Sequence, residues 1–170
     1  MKQTTLIFLY NAESTHKGTQ QILLAMKKRG FGAGRWNGVG GKLNEGESIH
    51  DAAVREAEEE IGVKIIPENL ESVAILDFSF ENKPDWNQQV HVFFTTVWEG
   101  EPAESEEMKP EWFAVQDIPF TDMWPDDIFW LPLVLEGEGV RAQFTFGEND
   151  VILEQQVDVV DRTSLRGEMI

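Results

Sequence analysis

Residues 55–60 read REAEEE, an arginine followed by four glutamates in the next five positions. Carboxylates crowded in a partly dry site raise one another's pKa unless a cation compensates, so the first question is whether these crowd. Helical residues advance about 100° each, which places Glu56, Glu59 and Glu60 at about 340°, 280° and 20° from Ile49, on one face. Val54, Ala57 and Ile61 fall at about 140°, 80° and 120° and form the opposing apolar stripe. Glu58 points elsewhere and reads as solvated. Ile49, Ala52 and Ala53 lie one to two turns earlier on the carboxylate side, which predicts a partly enclosed cluster rather than an open surface. The chain has no cysteine and one histidine near this segment, so oxygen ligands dominate. Oxygen clusters select Mg²⁺, Mn²⁺ or Ca²⁺, and Mg²⁺ commonly binds substrate phosphates as well.

The charge balance fits a small polyanion. Lys plus Arg is 14 against 31 Asp plus Glu, a net charge of −17, which argues against polymeric nucleic acid as a partner. Lys27, Lys28, Arg29, Arg35 and Lys42 nevertheless cluster, while Glu99–Gly139 carries 12 acids and the single base Lys109. No apolar run is long enough to span a bilayer, and the start "TTLIFLY" lacks the features of a cleaved leader. Absence of cysteine excludes disulfides and thiolate chemistry and fits a reducing compartment, with the cytoplasm expected.

The elements that must position the glutamates are mixed α and β. A helix is predicted over 48–61, with Ser48 as N-cap, Asp51 completing a partial capping box and Gly62 as the stop. Strands are expected at 4–10, 20–26, 70–80, 88–98 and 111–115, then at 141–146 and 151–157. "NAESTHKGT" (11–19) reads as a hairpin loop and 31–41 as a glycine-rich loop that is neither a P-loop nor a dinucleotide fingerprint. "DDIFWLPLVLEG" (126–137) starts as a helix would, with Pro132 leaving its length open. The chain reads as one domain over 1–157, with 158–170 a polar C-terminal tail prone to disorder.

Gly41, Glu47 and the run Arg55-Glu56-Ala57-Glu58-Glu59-Glu60-Ile61-Gly62-Val63 match the Nudix box at every fixed position, so the chain resembles the Nudix hydrolase superfamily. That resemblance implies an α/β fold, an α/β/α sandwich with a mixed β-sheet and a loop–helix–loop catalytic motif. It also implies Mg²⁺, or alternatively Mn²⁺, as cofactor. Glu56, Glu59, Glu60 and Glu107, with the Gly40 carbonyl, would be its ligands. Arg55 would orient the glutamates with help from Glu47, and Glu59 or Glu107 could complete deprotonation of water. The stretches 26–42, 104–110 and 122–127 resemble the MutT-homologue branch that hydrolyses oxidised purine nucleoside triphosphates of the 8-oxo-dGTP and 2-oxo-dATP type to a monophosphate and pyrophosphate.

By the same likeness the substrate pocket comprises Thr5, Lys27, Asn37, Val39, Gly40, Gly41, Lys42, Phe78, Trp124, Pro125, Asp126 and Asp127, with Phe80, Met108, Trp130 and Phe146 also near it. Asn37 can donate and accept, and two adjacent acids sharing one proton would match more than one oxidised purine. Trp124 could equally be a core tryptophan, and the acids could be helix N-terminal charge. Thr4 and Gln88 depart from the branch, which has Tyr and Met there, and this leaves the preferred base open. The alternatives are hydrolysis of another nucleotide, such as a dinucleoside polyphosphate or a methylated purine triphosphate, and a non-catalytic nucleotide-binding module. A small-molecule nucleotide is the expected partner, with no membrane, and a monomer is expected.

Overall fold

The computed structural model describes residues 1–12 and 20–166. Most of the expected 11–19 loop, and residues 167–170 of the expected tail, lie outside the described residues.

Helix α1 (Ile49–Ile61) is set by local chemistry at both ends. Ser48 Oγ accepts the Asp51 N–H at 3.1 Å. Gly62, at φ 73°, donates its N–H to the Glu58 carbonyl at 3.0 Å. A left-handed closing residue costs glycine nothing, having no Cβ to clash. Ala57 and Ile61 of the predicted stripe are wholly buried and Val54 packs beside them, and the core extends past the stripe to Ala52 and Ala53 on the carboxylate side, both wholly buried.

Among the described residues eight strands form one mixed sheet: β1 (Lys2–Asn11), β2 (Gln21–Lys27), β3 (Trp36–Asn37), β4 (Glu71–Phe80), β5 (Gln88–Thr95), β6 (Met108–Ala114), β7 (Gly139–Phe146) and β8 (Ile152–Val160). The order is β3-β2-β1-β5-β4-β7-β8, with β6 added to β2. Pairs β1–β5 and β4–β7 are parallel, and the others antiparallel. Parallel neighbours need crossovers that lay helices on the faces. Helix α1 covers one face, packing with Ile7, Leu9, Ile75 and Phe93. Helix α2 (Asp127–Leu135) covers the other through Trp130, Leu131 and Val134 against Phe8, Leu76, Val92 and Phe144. The α/β/α sandwich is the observed architecture.

Several boundaries differ from expectation. Strand β5 ends at Thr95, not at 98, because the Thr95 hydroxyl bonds the Val97 carbonyl at 2.9 Å and draws the chain into a turn. Strand β6 begins at Met108, three residues before the predicted start, and pairs with β2 from Lys27↔Met108 to Gln21↔Ala114. Pro110 concealed it, but β6 pairs only with β2 and such a strand tolerates proline. Pro132 lies inside α2 without ending it; the carbonyl deprived of a donor belongs to Ile128, an exposed residue that water can serve. The polar stretch from Asp158 is not a loose tail as far as Arg166. Strand β8 runs to Val160, Arg162 donates to the Val134 and Glu138 carbonyls at 2.8 and 3.1 Å, and helix α3 (Thr163–Arg166) buries Leu165 completely.

Candidate active site

The sheet, α2 and the glycine-rich loop enclose a cavity of about 710 Å³. One end is built on glycines. The segment 38–42 crosses β1 backbone to backbone: Ile7 N–H bonds Val39 O at 2.6 Å and Thr5 N–H bonds Gly41 O at 2.9 Å. A Cβ on Gly40 would stand 1.9 Å from the Thr5 carbonyl oxygen, and one on Gly41 would stand 2.7 Å from Glu56 Oε1. At Gly40, where the neighbour is backbone, only glycine permits that approach.

Pressed under this crossing, Glu60 is 4% exposed and accepts the Gly40 N–H at 2.9 Å. Burial pushes its carboxyl up to about 8; the Gly40 N–H opposes this, and the charge and hydrogen bond of Glu56 add to it. Arg55 lies behind the pair. Its Nε and Nη2 donate to the two Glu47 oxygens at 2.8 and 2.9 Å, Nη1 donates to Glu56 at 2.9 Å and Glu59 at 3.2 Å, and Nη2 also reaches the Lys42 carbonyl at 3.0 Å. These bonds, Glu47 foremost, raise the Arg55 pKa further and hold Glu47 below the usual carboxylate range. The three glutamates of the predicted face therefore differ: Glu60 is buried, Glu56 lines the cavity beside it, and Glu59 is exposed and does not line the cavity. Glu107 lines the cavity from the start of β6, 3.7 Å from Arg29. Among the described residues no three acidic or histidine side chains converge tightly enough to chelate an ion as they stand.

The other end is aromatic and acidic. Asp126 and Asp127 are 1% and 3% exposed. Asp126 precedes α2, yet its side chain makes no capping bond; it accepts the Trp130 indole N–H at 2.8 Å. Asp126 Oδ1 and Asp127 Oδ2 have no hydrogen-bond partner among the described residues. Burial raises both carboxyls, Asp126 to about 6 and Asp127 well above its ordinary value, the charge of Asp126 adding to the latter. Two buried acids raised together, with oxygens unpaired, are poised to share a proton and to meet a ligand with mixed donors and acceptors. Trp124 edges this end, stacked by Phe31 at 5.1 Å and crossed by the Arg35 guanidinium at 4.1 Å. Asn37 accepts the Gly38 N–H through Oδ1 at 2.9 Å.

Of the residues expected to bind substrate, Thr5, Lys27, Asn37, Gly40, Gly41, Lys42, Phe78, Trp124, Asp126 and Asp127 line this one cavity; Val39 and Pro125 do not. Val39 is 2% exposed and packed in the α1-side core, because its backbone pairing with Ile7 turns the side chain away. Phe31, Arg35 and Trp86 line the cavity too and were not assigned to it from sequence. Phe31 stands between two glycines in a loop, so no periodicity marks it; the lone aromatic in "GFG" was the available signal. Thr4 and Gln88 face each other there, the Thr4 hydroxyl donating to Gln88 Oε1 at 3.1 Å.

A family model described as the NUDIX domain matches residues 2–134. The oxidized purine nucleoside triphosphate hydrolase of Mus musculus is 47% identical over 142 residues, covering 84% of this chain and 89% of its own. The Danio rerio protein of the same name is 46% identical over 141 residues, covering 83% and 88%. Among solved structures, a MutT protein from Bacillus halodurans aligns with a TM-score of 0.76 at 25% identity, over 93% of this chain and 98% of its own. The glutamate helix under a glycine crossing, the mixed sheet between two helices and the 2–134 match all say the same thing: this chain belongs to the Nudix family.

Proposed function

We propose that this Nudix protein hydrolyses oxidised purine nucleoside triphosphates to the monophosphate and pyrophosphate, clearing them from the nucleotide pool. One observation carries the reading: a single cavity has glycine-cradled carboxylates at one end and a buried, hydrogen-bond-hungry acid pair beside aromatic rings at the other. The first end suits a polyphosphate with a cation, the second a purine edge.

The residues fit a hard divalent cation. Glu56 and Glu60 meet as a carboxylate pair in a site where burial makes two negative charges costly, and every nearby donor is oxygen. Glu56 and Glu60, joined by Glu59 and Glu107, would hold Mg²⁺ or Mn²⁺, with the Gly40 carbonyl. When bound, such an ion neutralises polyphosphate charge and lowers the pKa of an attacking water. The chain's own residues do the rest. Arg55 fixes Glu56 and Glu59 by one guanidinium anchored on Glu47. Lys27 and Lys42 offer positive charge along the cavity wall. Asp126 and Asp127 present donor and acceptor to the base, and Glu59 or Glu107 takes the proton of the attacking water. Positioning and charge neutralisation supply most of the rate, as in other phosphoryl transfers. On this reading the protein acts as a monomer in the cytoplasm; among the described residues no helix is long and apolar enough to cross a membrane.

The test is the product balance. Anion-exchange chromatography of 8-oxo-dGTP incubated with protein and Mg²⁺ should show one 8-oxo-dGMP and one pyrophosphate per turnover. Orthophosphate with 8-oxo-dGDP, or turnover confined to dinucleoside polyphosphates or methylated purine triphosphates, would overturn this reading.

A further inference from the structure

Two consecutive non-glycine residues hold left-handed backbone in the turn between β7 and β8: Asn149 at φ 58° and Asp150 at φ 60°. L-residues adopt this region at a cost, and such strain persists where the surrounding structure over-determines it. Here the conformation delivers Asp150 to Arg35, which lines the cavity. Its carboxylate meets Arg35 Nη1 at 3.0 Å, with both side chains 28% exposed. Arg35 in turn lies over the Trp124 ring at 4.1 Å, and Phe31 stacks on the same ring with 28° between the planes.

The loop that bears Phe31 and Arg35 is tied at its base, not loose. Lys27 N–H bonds Arg35 O at 3.2 Å and Gly34 N–H bonds Lys27 O at 2.8 Å. A side chain at Gly32 would come within 3.3 Å of Trp124 Nε1, so the loop lies close against the indole. Arg35 also acts beyond the ring: its positive charge favours the ionised form of Asp126, against the effect of burial. Its charge is matched by Asp150 and its flat face is spent on the indole, which leaves it poorly placed as a ligand for phosphate.

We propose that Arg35, latched by Asp150, is a positioning residue that fixes Trp124 and Phe31 and so sets how tightly the cavity grips a purine base. The inference rests on the nucleotide-site reading above. The strained β7–β8 turn is then part of the site although it lies far along the chain from the glutamate helix. Lysine at position 35 does not substitute, since an ammonium lacks the planar fork that both stacks and pairs.

The test uses Asp150→Asn, Asp150→Gly, Arg35→Gln and Arg35→Lys with three readouts. The first needs no ligand: the Trp124 indole N–H resonance, assigned by its loss in Trp124→Phe, should shift or broaden in all four. The second is calorimetric affinity for 8-oxo-dGMP, expected to fall roughly 3- to 30-fold, the size of a lost cation–π contact. Asp150→Gly relieves the backbone while removing the carboxylate, so its Tm should hold while affinity falls; a turn with only a structural role would move the two together. Arg35→Gln combined with Asp150→Asn should cost no more than either alone, as for residues acting as one unit. The third is binding of inorganic pyrophosphate with Mg²⁺, expected to stay within about twofold, since a base-end contact does not reach the phosphate end.

An unmoved Trp124 resonance in Arg35→Gln and Asp150→Gly overturns the latch. Equal loss of pyrophosphate and 8-oxo-dGMP binding makes Arg35 a phosphate ligand and also overturns it. Wild-type protein that binds no purine nucleotide would instead sink the substrate reading, and the Trp124 resonance would then decide the latch alone.

Discussion

Replacing both buried acids at once, Asp126→Asn with Asp127→Asn, should stabilise the ligand-free protein, and by more as pH rises. Both carboxyls are almost fully enclosed, and burial raises the pKa of each. A group with a raised folded pKa binds more protons folded than unfolded, so its contribution is full below the unfolded value near 4 and is lost as pH climbs through the folded value. For Asp126 the shift runs from 3.8 to about 6. At 1.36 kcal/mol per tenfold, ionising it in place costs roughly 3 kcal/mol. Asp127, raised further by its neighbour's charge, makes that figure a lower bound. Lost helix N-terminal charge works the other way but is worth only about 0.3–1 kcal/mol. Asparagine keeps the shape and can still accept the Trp130 N–H. Urea unfolding of both proteins at pH 5, 6, 7 and 8 reads the difference directly. Raised groups common to both, Glu60 among them, cancel in it. Only the part of the Asp126 shift from pH 5 to about 6 falls in this range, and Asp127 adds to it, so the variant should gain at least about 1 kcal/mol on wild type between pH 5 and 8, or roughly 2–4 °C or more in Tm for a chain of this size. Stability curves that stay parallel across that range would refute the argument that burial governs this pair.

Three further outcomes are expected. EDTA should abolish turnover, and Mg²⁺ should raise the Tm of the ligand-free protein through binding linkage; full activity in EDTA would remove the metal from the account. Glu59→Gln, at an exposed position on α1, should lower kcat at least about 100-fold while nucleotide affinity measured in Ca²⁺ changes far less; unchanged kcat would leave Glu59 a surface residue paired with Arg55. Gly40→Ala should destabilise by about 4 kcal/mol or more, since its Cβ would stand 1.9 Å from a backbone oxygen that cannot yield; a urea midpoint within error of wild type would mean the crossing is looser than described.

What could be read from the sequence followed how local its determinants are. Helix α1 was legible because Ser48, Asp51 and Gly62 fix its ends by bonds within a few residues, and its apolar stripe needs only a period. The same period put Glu56, Glu59 and Glu60 on one face as equals. It could not say that the Gly40 crossing would bury Glu60 and leave Glu59 in water, because that depends on β1 lying beneath a loop from elsewhere in the chain. As base readers or as helix-start charge, Asp126 and Asp127 look the same in sequence; their burial, which no neighbouring residue encodes, sets them apart from ordinary exposed helix-start acids. Val39 was assigned to the pocket by position in a motif, whereas strand pairing with Ile7 turns it into the core. The end of β8 from Asp158 and the segment after it read as a polar tail because an edge strand buries little, so composition resembles that of a loose end.

The claim at the centre is that one cavity joins phosphate chemistry at its glycine end to base recognition by Asp126 and Asp127. It is tested most directly by kcat/KM for 8-oxo-dGTP, 2-oxo-dATP and dGTP on wild type and on Asp126→Asn, with Mg²⁺ present. Wild type should favour the oxidised purines. The variant, whose amide cannot exchange a proton with its neighbour, should shift the ratio between 8-oxo-dGTP and 2-oxo-dATP by about 5- to 150-fold, the cost of stranding one buried hydrogen-bonding group. Equal preference for dGTP in wild type, or one common factor for all three substrates in the variant, would contradict the account.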